Sequence, residues 1–574
     1  MPIIACVSLL AAHVLLLIYS AARNSATFDE PAHLAAGAAY WKHHDFTIYD
    51  LSPPLLRLWC GMPAVLAGAN APATDDVDHQ PILERHWRYA DAFVAANLSR
   101  FESLLFYGRL GTIALSCLAG WMTYRWAGRL YGPRSAFAAC AMYCLNPSIL
   151  AHGCLVTTDV GTAAAMLAAC WMWWRFCRSP SWPRWTLACL AVLAAHLCKF
   201  TAILLWPMLL AMTLPFIHWR ISRKWWLLPG AWILLAAGVL VLLNAVYGFR
   251  GTGRPIGSFQ FDSDFMQRVQ GSISAGVPTP LPHLYVEGFD AQKADTQGGY
   301  QGFLFGEIYR GAKWYFFPAA LLCKLPIAML LLLAAAVASK LAPRGAAPPA
   351  RGAGERSLFF GLVVFAAGVI WLGDLNIGTR YLLPAFPLTI ILISRIWSVT
   401  RAPLAKTRAV LPYLRDALLV MLAIETLWVC PRFLTFVNFA VGGPSNGWRL
   451  LSDSDFDWGQ GLVELRSWLD EQKNPPIALI YFGFVNPTAY GIHFEPFTHS
   501  QNAKYVAVSS YFLDGLRNRI WINTTERRWM GLPYYRDLQT KTPVAVVGHT
   551  IFIYSREDID AAATEIRIAP PPGP

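Results

Sequence analysis

Apolar runs of about twenty residues recur along the chain, and short clusters of Lys and Arg separate them. The first run, Ile3 to Ala22, contains no Asp, Glu, Lys or Arg and is long enough to cross a bilayer as a helix. We interpret it as a retained first span and not as a cleaved leader. Further runs predict about 11 transmembrane helices, at 3–22, 105–126, 135–150, 155–174, 185–217 (two short helices), 226–246, 314–339, 357–372, 378–396 and 416–437.

The Lys and Arg clusters predict the orientation of these spans, because basic residues collect in cytoplasmic loops. The bias places the N-terminus in the cytoplasm and the C-terminus outside a plasma or inner membrane. The run 185–217 has basic loops at both ends, so both ends should face the cytoplasm. A single helix cannot do this, and we therefore expect two short helices hinged near Lys199, with that lysine at their external tip.

The polar residues between and after the spans form external loops and a C-terminal segment, which define two domains. We predict a transmembrane catalytic domain over 1–440, with external loops at 23–104 and 247–312. Residues 445–565 alternate polar and apolar stretches, which indicates a small external α/β domain. Within it we expect a helix at 461–472 and strands at 477–484, 504–508 and 544–554. The proline-rich end, 566–574, is typical of a disordered tail.

Composition agrees with a polytopic α-helical membrane protein. The chain is 55% hydrophobic and only 14% charged, whereas soluble domains carry about 25% charged residues. The cytoplasmic loops account for the net charge of +12, and no basic tract with interleaved aromatics indicates nucleic acid. Most of the twelve cysteines lie in apolar runs, which argues against a disulfide framework and a cysteine metal site.

Acidic and imidazole side chains collect on the predicted outer side. Asp29, Glu30 and His33 follow the first span, and Asp159 lies at the outer end of the fourth. Glu30 and His33 are three residues apart, so they share a face if the segment is helical. These two can contribute to a divalent-cation site, although two ligands make a weak case.

Cations are predicted on the same side of the membrane. Lys199 lies at the hinge, Arg380 at the outer start of the tenth span, and Arg57 just after the Pro53-Pro54 break. Charged side chains near a bilayer are energetically unfavourable, and those that are present usually have a function. We therefore expect the acids and the cations to meet in one external cavity.

Each residue also has a structural interpretation. Asp29-Glu30 can cap a helix that has Pro31 in its first turn, and Asp159 can cap the fourth span. His33 can be an interfacial polar residue, Lys199 can reach the interface along its alkyl stem, and Arg380 can pair with Asp374. The joint placement of these residues on one side of the membrane favours a functional site over these separate structural interpretations.

This set of side chains suits the transfer of a sugar from a lipid phosphate. A carboxylate can take the proton of an acceptor hydroxyl, and cations can hold the phosphate leaving group. The donor would be a lipid-linked sugar, and the acceptor a hydroxyl group of an extracytoplasmic protein, lipid or glycan. A transporter or flippase of an anionic lipid can use the same cavity, and a non-catalytic scaffold is a third possibility.

Several motifs together resemble one family. TFDEPAHLAAGAAYW, GCLVTTD, CKFTAILLWP, GTRYLLPAFP and DSDFDWGQGL, in this order, look like the bacterial phospholipid-carrier-dependent glycosyltransferases of the GT-C superfamily. These include protein O-mannosyltransferases and aminoarabinose transferases. The resemblance implies an inverting transfer, with Asp29 as general base and Asp159 as the aspartate of a second loop. It also implies that the sugar comes from a polyprenyl phosphate, that Lys199 and Arg380 bind the carrier phosphate, and that Glu30 and His33 neighbour the base. We expect Asp159 and Glu30 to serve catalysis by positioning the acceptor or a divalent cation.

The acidic stretch 452–460 is a separate candidate site. Its alternating aspartates can bind calcium, but the rest of an EF-hand loop is missing. We expect instead that Asp457 caps a helix beginning near Gly459 and that Trp458 docks the C-terminal domain on the membrane part.

Overall fold

The structure is a computed structural model that describes nine stretches of the chain. They are residues 2–74, 81–222, 224–341, 349–373, 375–398, 405–496, 502–523, 526–530 and 538–557. The predicted tail 566–574 and the proposed pairing partner Asp374 lie outside these residues.

Helices make up most of the first 430 residues. The N-terminal part contains α1 (Pro2–Arg23), α2 (Glu30–His43), α3 (Leu55–Leu66), α4 (Ile82–Ala96), α5 (Phe101–Tyr131), α6 (Pro133–Cys144) and α7 (Pro147–Gly153). The next part contains α8 (Asp159–Arg178), α9 (Trp182–Cys198), α10 (Leu205–His218), α11 (Leu228–Val246), α12 (Asp264–Ser272) and α13 (His283–Gln297). A hairpin of β1 (Gln301–Leu304) and β2 (Glu307–Arg310) precedes α14 (Phe316–Lys324), α15 (Ile327–Leu341), α16 (Pro349–Leu372), α17 (Ala385–Ser394) and α18 (Ala405–Trp428).

Five helical segments in the described part are long and apolar enough to cross a membrane. They are Ile3–Arg23, Leu98–Tyr131, Phe200–His218, Trp225–Val246 and Gly352–Trp371. A bent pair, Phe316–Lys324 with Ile327–Lys340, is a sixth candidate. The chain is therefore a multi-pass membrane protein. Every predicted span coincides with a helix or a pair of helices, but the total of eleven spans and their orientation stay predictions.

Breaks interrupt three of the predicted spans. Lys199 is extended (φ −159°, ψ 144°) between the end of α9 and a 3-10 turn that leads into α10, which confirms the expected hinge. The axes of α14 and α15 differ by 116°, because Pro326 cannot continue a helical hydrogen-bond ladder. The third predicted span divides at Asn146, whose side chain accepts from the Ile149 amide and caps α7.

Helices α2 and α3 follow the first span and pack unusually closely. A Cβ on Gly37 would lie 2.2 Å from the carbonyl oxygen of Arg57, and one on Gly61 would lie 2.6 Å from the carbonyl carbon of Gly37. Only glycine permits this backbone contact. The contact fixes α2, and with it the residues at its N-terminus.

A mixed sheet forms the C-terminal part of the chain. Helices α19 (Pro444–Gly447), α20 (Leu462–Glu471) and α21 (Ser510–Leu513) accompany β3 (Ile477–Ile480), β4 (Glu495–Pro496), β5 (Tyr505–Ser509), β6 (Asn518–Trp521), β7 (Arg527–Met530), β8 (Ala545–Val547) and β9 (Ile551–Ser555). Five strands pair in the order β4-β3-β5-β9-β8, and β6 pairs with β7 in a separate antiparallel hairpin. The predicted helical region 461–472 contains α20. The three predicted strand regions contain β3, β5, and the pair β8 and β9.

The C-terminal sheet shares its core with the helices. One hydrophobic cluster contains both Trp126 of α5 and Val508 of β5, and a second contains both Leu34 of α2 and Leu479 of β3. Backbone bonds also join the two parts, since the Phe28 amide donates to the Trp458 carbonyl over 2.9 Å. The segment between α1 and α2 is consequently held from both sides.

Candidate active site

Five of the seven residues singled out from the sequence line one cavity of about 900 Å³. They are Asp29, His33, Asp159, Lys199 and Arg380. The cavity lies between the N-terminal part of α2, the start of α8, the break before α10, and the C-terminal segments. These five residues therefore meet in one cavity, as the sequence predicted.

Four of these side chains form a continuous ion-pair chain. The Arg380 Nη1 lies 2.8 Å from Asp29 Oδ2 and 3.7 Å from Asp159 Oδ2. Lys199 Nζ donates to Asp159 Oδ1 over 2.7 Å. The charges thus alternate along the cavity wall, with each cation held by carboxylates.

Aromatic rings support both cations. The Arg380 guanidinium lies 4.3 Å from the centre of the Trp458 ring, and Lys199 Nζ lies 4.9 Å from the centre of the Tyr381 ring. Such contacts favour charged side chains that are largely shielded from water, as these two are. Trp458 therefore connects the C-terminal part to the ion-pair chain.

The backbone positions these side chains at breaks and helix starts. Asp159 is the first residue of α8, where the helix dipole favours negative charge. Arg380 lies in a 3-10 turn, which Asp455 fixes by accepting from the Thr379 amide (2.8 Å) and hydroxyl (2.6 Å). Asp29 directly precedes α2 but makes no capping hydrogen bond there, so capping alone does not account for it.

His33 faces the cavity as a neutral ring. Its ring stacks on Tyr49 with centroids 5.0 Å apart. Burial lowers the pKa of His33 well below its usual value, and the nearby Arg57 lowers it further. Its Nδ1 is buried and has no hydrogen-bond partner among the described residues.

Glu30 does not line the cavity. Its carboxylate accepts from Arg109 at both oxygens, over 2.8 and 2.6 Å, and also from the Val156 amide over 2.8 Å. Both side chains are almost fully buried. This pair cross-links α2, α5 and the segment before α8, so we correct the expected catalytic role of Glu30 to a structural one.

Arg57 is likewise turned away from the cavity. Its guanidinium donates to the Ser52 hydroxyl (2.6 Å), the Tyr49 carbonyl (2.9 Å) and the Tyr40 hydroxyl (3.0 Å). The side chain is 1% exposed. Arg57 therefore holds the loop between α2 and α3, and its donors are not free for a phosphate.

Glu30→Gln is expected to destabilise the protein by about 3–5 kcal/mol, because it leaves the buried Arg109 without its counter-charge. Thermal unfolding of the purified variant in detergent measures this effect. Glu102→Gln is the control, since Glu102 makes only a surface pair with Arg466. Unfolding like that of the wild type, together with lost activity, would instead return Glu30 to a catalytic role.

The side chains present do not fit a divalent cation. The described residues contain no group of three or more His, Cys, Asp or Glu that could hold a metal ion. Both Glu30 oxygens are taken by Arg109, and Asp29 and Asp159 both face Arg380. The cation expected at Glu30 and His33 is therefore not part of the mechanism below.

The aspartates of 452–460 separate into different roles. Asp453 lines the cavity, and burial raises its pKa to about 7 although Arg380 opposes the shift. Asp457 accepts from the Ser510 hydroxyl and the Tyr511 amide at the start of α21. It does not cap α20, which begins only at Leu462, so that expectation was wrong. The carboxylates do not converge as a calcium site requires.

Residues 91–247 match the family model of the dolichyl-phosphate-mannose-protein mannosyltransferases. The matched stretch runs from α4 to the end of α11 and includes Asp159 and Lys199. It supports the resemblance that the motifs indicated. No curated protein matches the chain significantly by sequence.

Several solved structures are similar in overall shape at low sequence identity. ArnT from Cupriavidus metallidurans bound to undecaprenyl phosphate has a TM-score of 0.44 and 13% identity, with 74% of this chain and 70% of that one covered. The Archaeoglobus fulgidus oligosaccharyltransferase in the apo form has a TM-score of 0.41 and 11% identity, with coverages of 94% and 76%. AglB from the same organism, in complex with an inhibitory peptide and a dolichol-phosphate, has a TM-score of 0.39 and 12% identity, with coverages of 94% and 75%.

Proposed function

We propose that the protein is a glycosyltransferase that moves a sugar, with inversion, from a polyprenyl-phosphate carrier to a hydroxyl group outside the cytoplasm. The observation that carries this proposal is the chain of charges Asp29–Arg380–Asp159–Lys199 on the wall of one cavity. The family match over the stretch that includes two of these residues supports it.

Lys199 and Arg380 are the groups that hold the donor phosphate. Arg can bind two phosphate oxygens at once, and Lys adds a compact positive charge. Both cations neutralise the charge that develops on the carrier phosphate as the bond to the sugar breaks. A phosphate leaving group needs no proton, so cations suffice at this end of the reaction.

Asp29 is the group that receives the acceptor proton. In the structure its Oδ2 is paired with Arg380 over 2.8 Å. A donor phosphate competes for the same guanidinium, so donor binding releases the carboxylate. The base thus becomes available when the leaving group is in place, which limits unproductive reaction of the free site.

The second aspartate orients the cations. Asp159 lies between Lys199 and Arg380 and is 4% exposed. Its negative charge keeps both side chains directed at the cavity while no phosphate is bound.

The membrane supplies the route for the donor. A polyprenyl chain is apolar and lies in the bilayer, while its phosphate and sugar enter the cavity. We propose a plasma or inner membrane location, with the N-terminus in the cytoplasm and the C-terminal part outside, as the distribution of basic residues predicts.

Incubation of the purified protein with a radiolabelled polyprenyl-phosphate sugar and cell-envelope extract tests the proposal. We expect free polyprenyl phosphate and a new labelled glycoside to form in equal amounts. Movement of the lipid across a vesicle bilayer without release of polyprenyl phosphate would instead show a flippase. A panel of hexose and pentose donors identifies the sugar.

A further inference from the structure

The cavity has a second group of charged side chains outside the ion-pair chain. Arg310 ends β2, Arg517 precedes β6, and Arg519 lies in β6, and all three line the cavity and are exposed. They come from two hairpins that meet here, since the Arg517 amide donates to the Gln301 side chain over 3.1 Å. The site therefore carries positive charge beyond Lys199 and Arg380.

These three arginines differ from the other arginines of this part of the lining. Arg88 pairs with Glu84 over 3.2 Å, and Arg527 pairs with Asp91. Within the described stretches, Arg310, Arg517 and Arg519 form no ion pair at all. Three unneutralised guanidinium groups facing one cavity repel each other, and a bound anion relieves that repulsion.

A tryptophan face adjoins this charge. Trp529 of β7 is the cross-strand partner of Arg519 in β6, and the guanidinium lies 5.5 Å from the centre of one of its rings. Trp529 lines the cavity and is 46% exposed. An exposed indole beside a cationic group offers an apolar face to a sugar ring and a charge to its acidic substituent.

We propose that Arg310, Arg517, Arg519 and Trp529 form the acceptor subsite, and that the acceptor is an anionic saccharide. This inference rests on the proposed function and names the substrate class of the same cavity. The donor has a single phosphate, which Lys199 and Arg380 satisfy, so the additional arginines serve the acceptor. The indole favours a glycan over a peptide, because its flat face matches the CH face of a pyranose.

The bond changes follow the proposed transfer. The bond between the sugar C1 and the carrier phosphate oxygen breaks, and its electrons leave with the phosphate. A bond forms between C1 and a hydroxyl oxygen of the anionic saccharide, and the hydroxyl proton passes to Asp29. The arginines hold the carboxylate or phosphate of the acceptor and take no part in these bond changes.

Binding of defined saccharides to the full-length protein in phosphatidylcholine nanodiscs tests this subsite. The probes are tetragalacturonate, its fully methyl-esterified form, and an end-blocked tetraglutamate peptide with the same number of carboxylates. We expect tetragalacturonate to bind at least about tenfold more tightly than either of the others, and its affinity to fall as salt is added.

The variant R517Q/R519Q is expected to weaken tetragalacturonate binding at least about tenfold, and Trp529→Ala to weaken it severalfold. Arg528→Gln is the matched control, because Arg528 lies on the same hairpin, is exposed, and pairs with Glu526 over 2.6 Å outside the cavity lining. These substitutions are on exposed side chains, and unchanged thermal unfolding confirms that each variant is folded.

Equal binding of the esterified saccharide, equal binding of the peptide, or an equal loss with Arg528→Gln would each overturn the inference. The titration involves no sugar transfer and no lipid donor. Its failure is therefore separate from a failure of the proposed function, which would appear as absent release of polyprenyl phosphate by the wild type.

Discussion

Asp29→Asn is expected to reduce sugar transfer by about 10²–10⁴-fold, because the amide cannot accept the proton of the acceptor hydroxyl. The side chain keeps its shape, so donor binding at Lys199 and Arg380 should persist. The initial rate of polyprenyl phosphate release, measured with saturating donor and acceptor, gives the effect on the chemical step. The apparent KM for the donor should not rise, and should fall if anything, because the amide no longer competes with the phosphate for Arg380.

Asp45→Asn is the control for this variant. Asp45 also belongs to the first external loop, but it only accepts from the amide and hydroxyl of Thr47, and it is absent from the cavity lining. Its substitution should leave transfer near the wild-type rate. Near-normal turnover by Asp29→Asn would remove Asp29 from the mechanism.

Arg380→Gln is expected to reduce transfer by about 10²–10³-fold, because it removes the guanidinium that stabilises charge on the departing phosphate. It also leaves Asp29 and Asp159 without the cation that they share. Both kcat and the affinity for donor should fall, since the same contact serves binding and chemistry. Steady-state kinetics over a range of donor concentrations separates the two effects.

Arg380→Lys tests the geometry of this contact. A lysine keeps the charge, but it lacks the planar guanidinium that binds two phosphate oxygens at once and lies against the Trp458 ring. Partial recovery relative to Arg380→Gln is expected. Arg466→Gln, at a surface pair with Glu102, should have no effect, and a comparable loss there would indicate a general effect of charge removal.

Several features of the site follow from local sequence patterns. The basic loops at both ends of 185–217 predicted a hinge near Lys199, and the structure has an extended residue there between two helical segments; the reversal of direction stays a prediction. Asp159 and Arg380 were predicted to lie on the outer side by counting spans, and they lie within 3.7 Å of each other. In these cases the periodicity and charge of one segment contained the necessary information.

The roles of Glu30 and Arg57 could not be read in this way. Glu30 and its neighbour Asp29 are adjacent in sequence, yet one faces the cavity and the other faces Arg109. That partner lies 79 residues away. Arg109, which lies inside the predicted second span away from its basic cytoplasmic end, was the signal, because a charge within a span needs a counter-ion. Arg57 differs in that its partners are two neutral hydroxyls, of Ser52 and Tyr40, and backbone carbonyls such as that of Tyr49, and no charge pattern reveals them.

The C-terminal contribution to the cavity was also hidden in the sequence. Asp453, Trp458 and the β6–β7 hairpin line a site whose ion-pair chain comes from the first 380 residues. The alternating pattern predicted the regions that contain β3, β5, β8 and β9, but it missed the β6–β7 hairpin. It also does not say which face of the sheet meets the helices. The hydrophobic clusters that the sheet shares with the helices determine which face is buried, and they are seen only in the structure.

The packing of the N-terminal loop has a consequence for biogenesis. The Ser25 hydroxyl donates to the Gly459 carbonyl, 434 residues away, and the Ala26 amide donates to the Tyr490 hydroxyl. The ribosome makes these partners long after α1 has entered the membrane. The segment that presents Asp29 consequently stays unfinished on the nascent chain, so the enzyme acquires its reactive geometry only after translation is nearly complete.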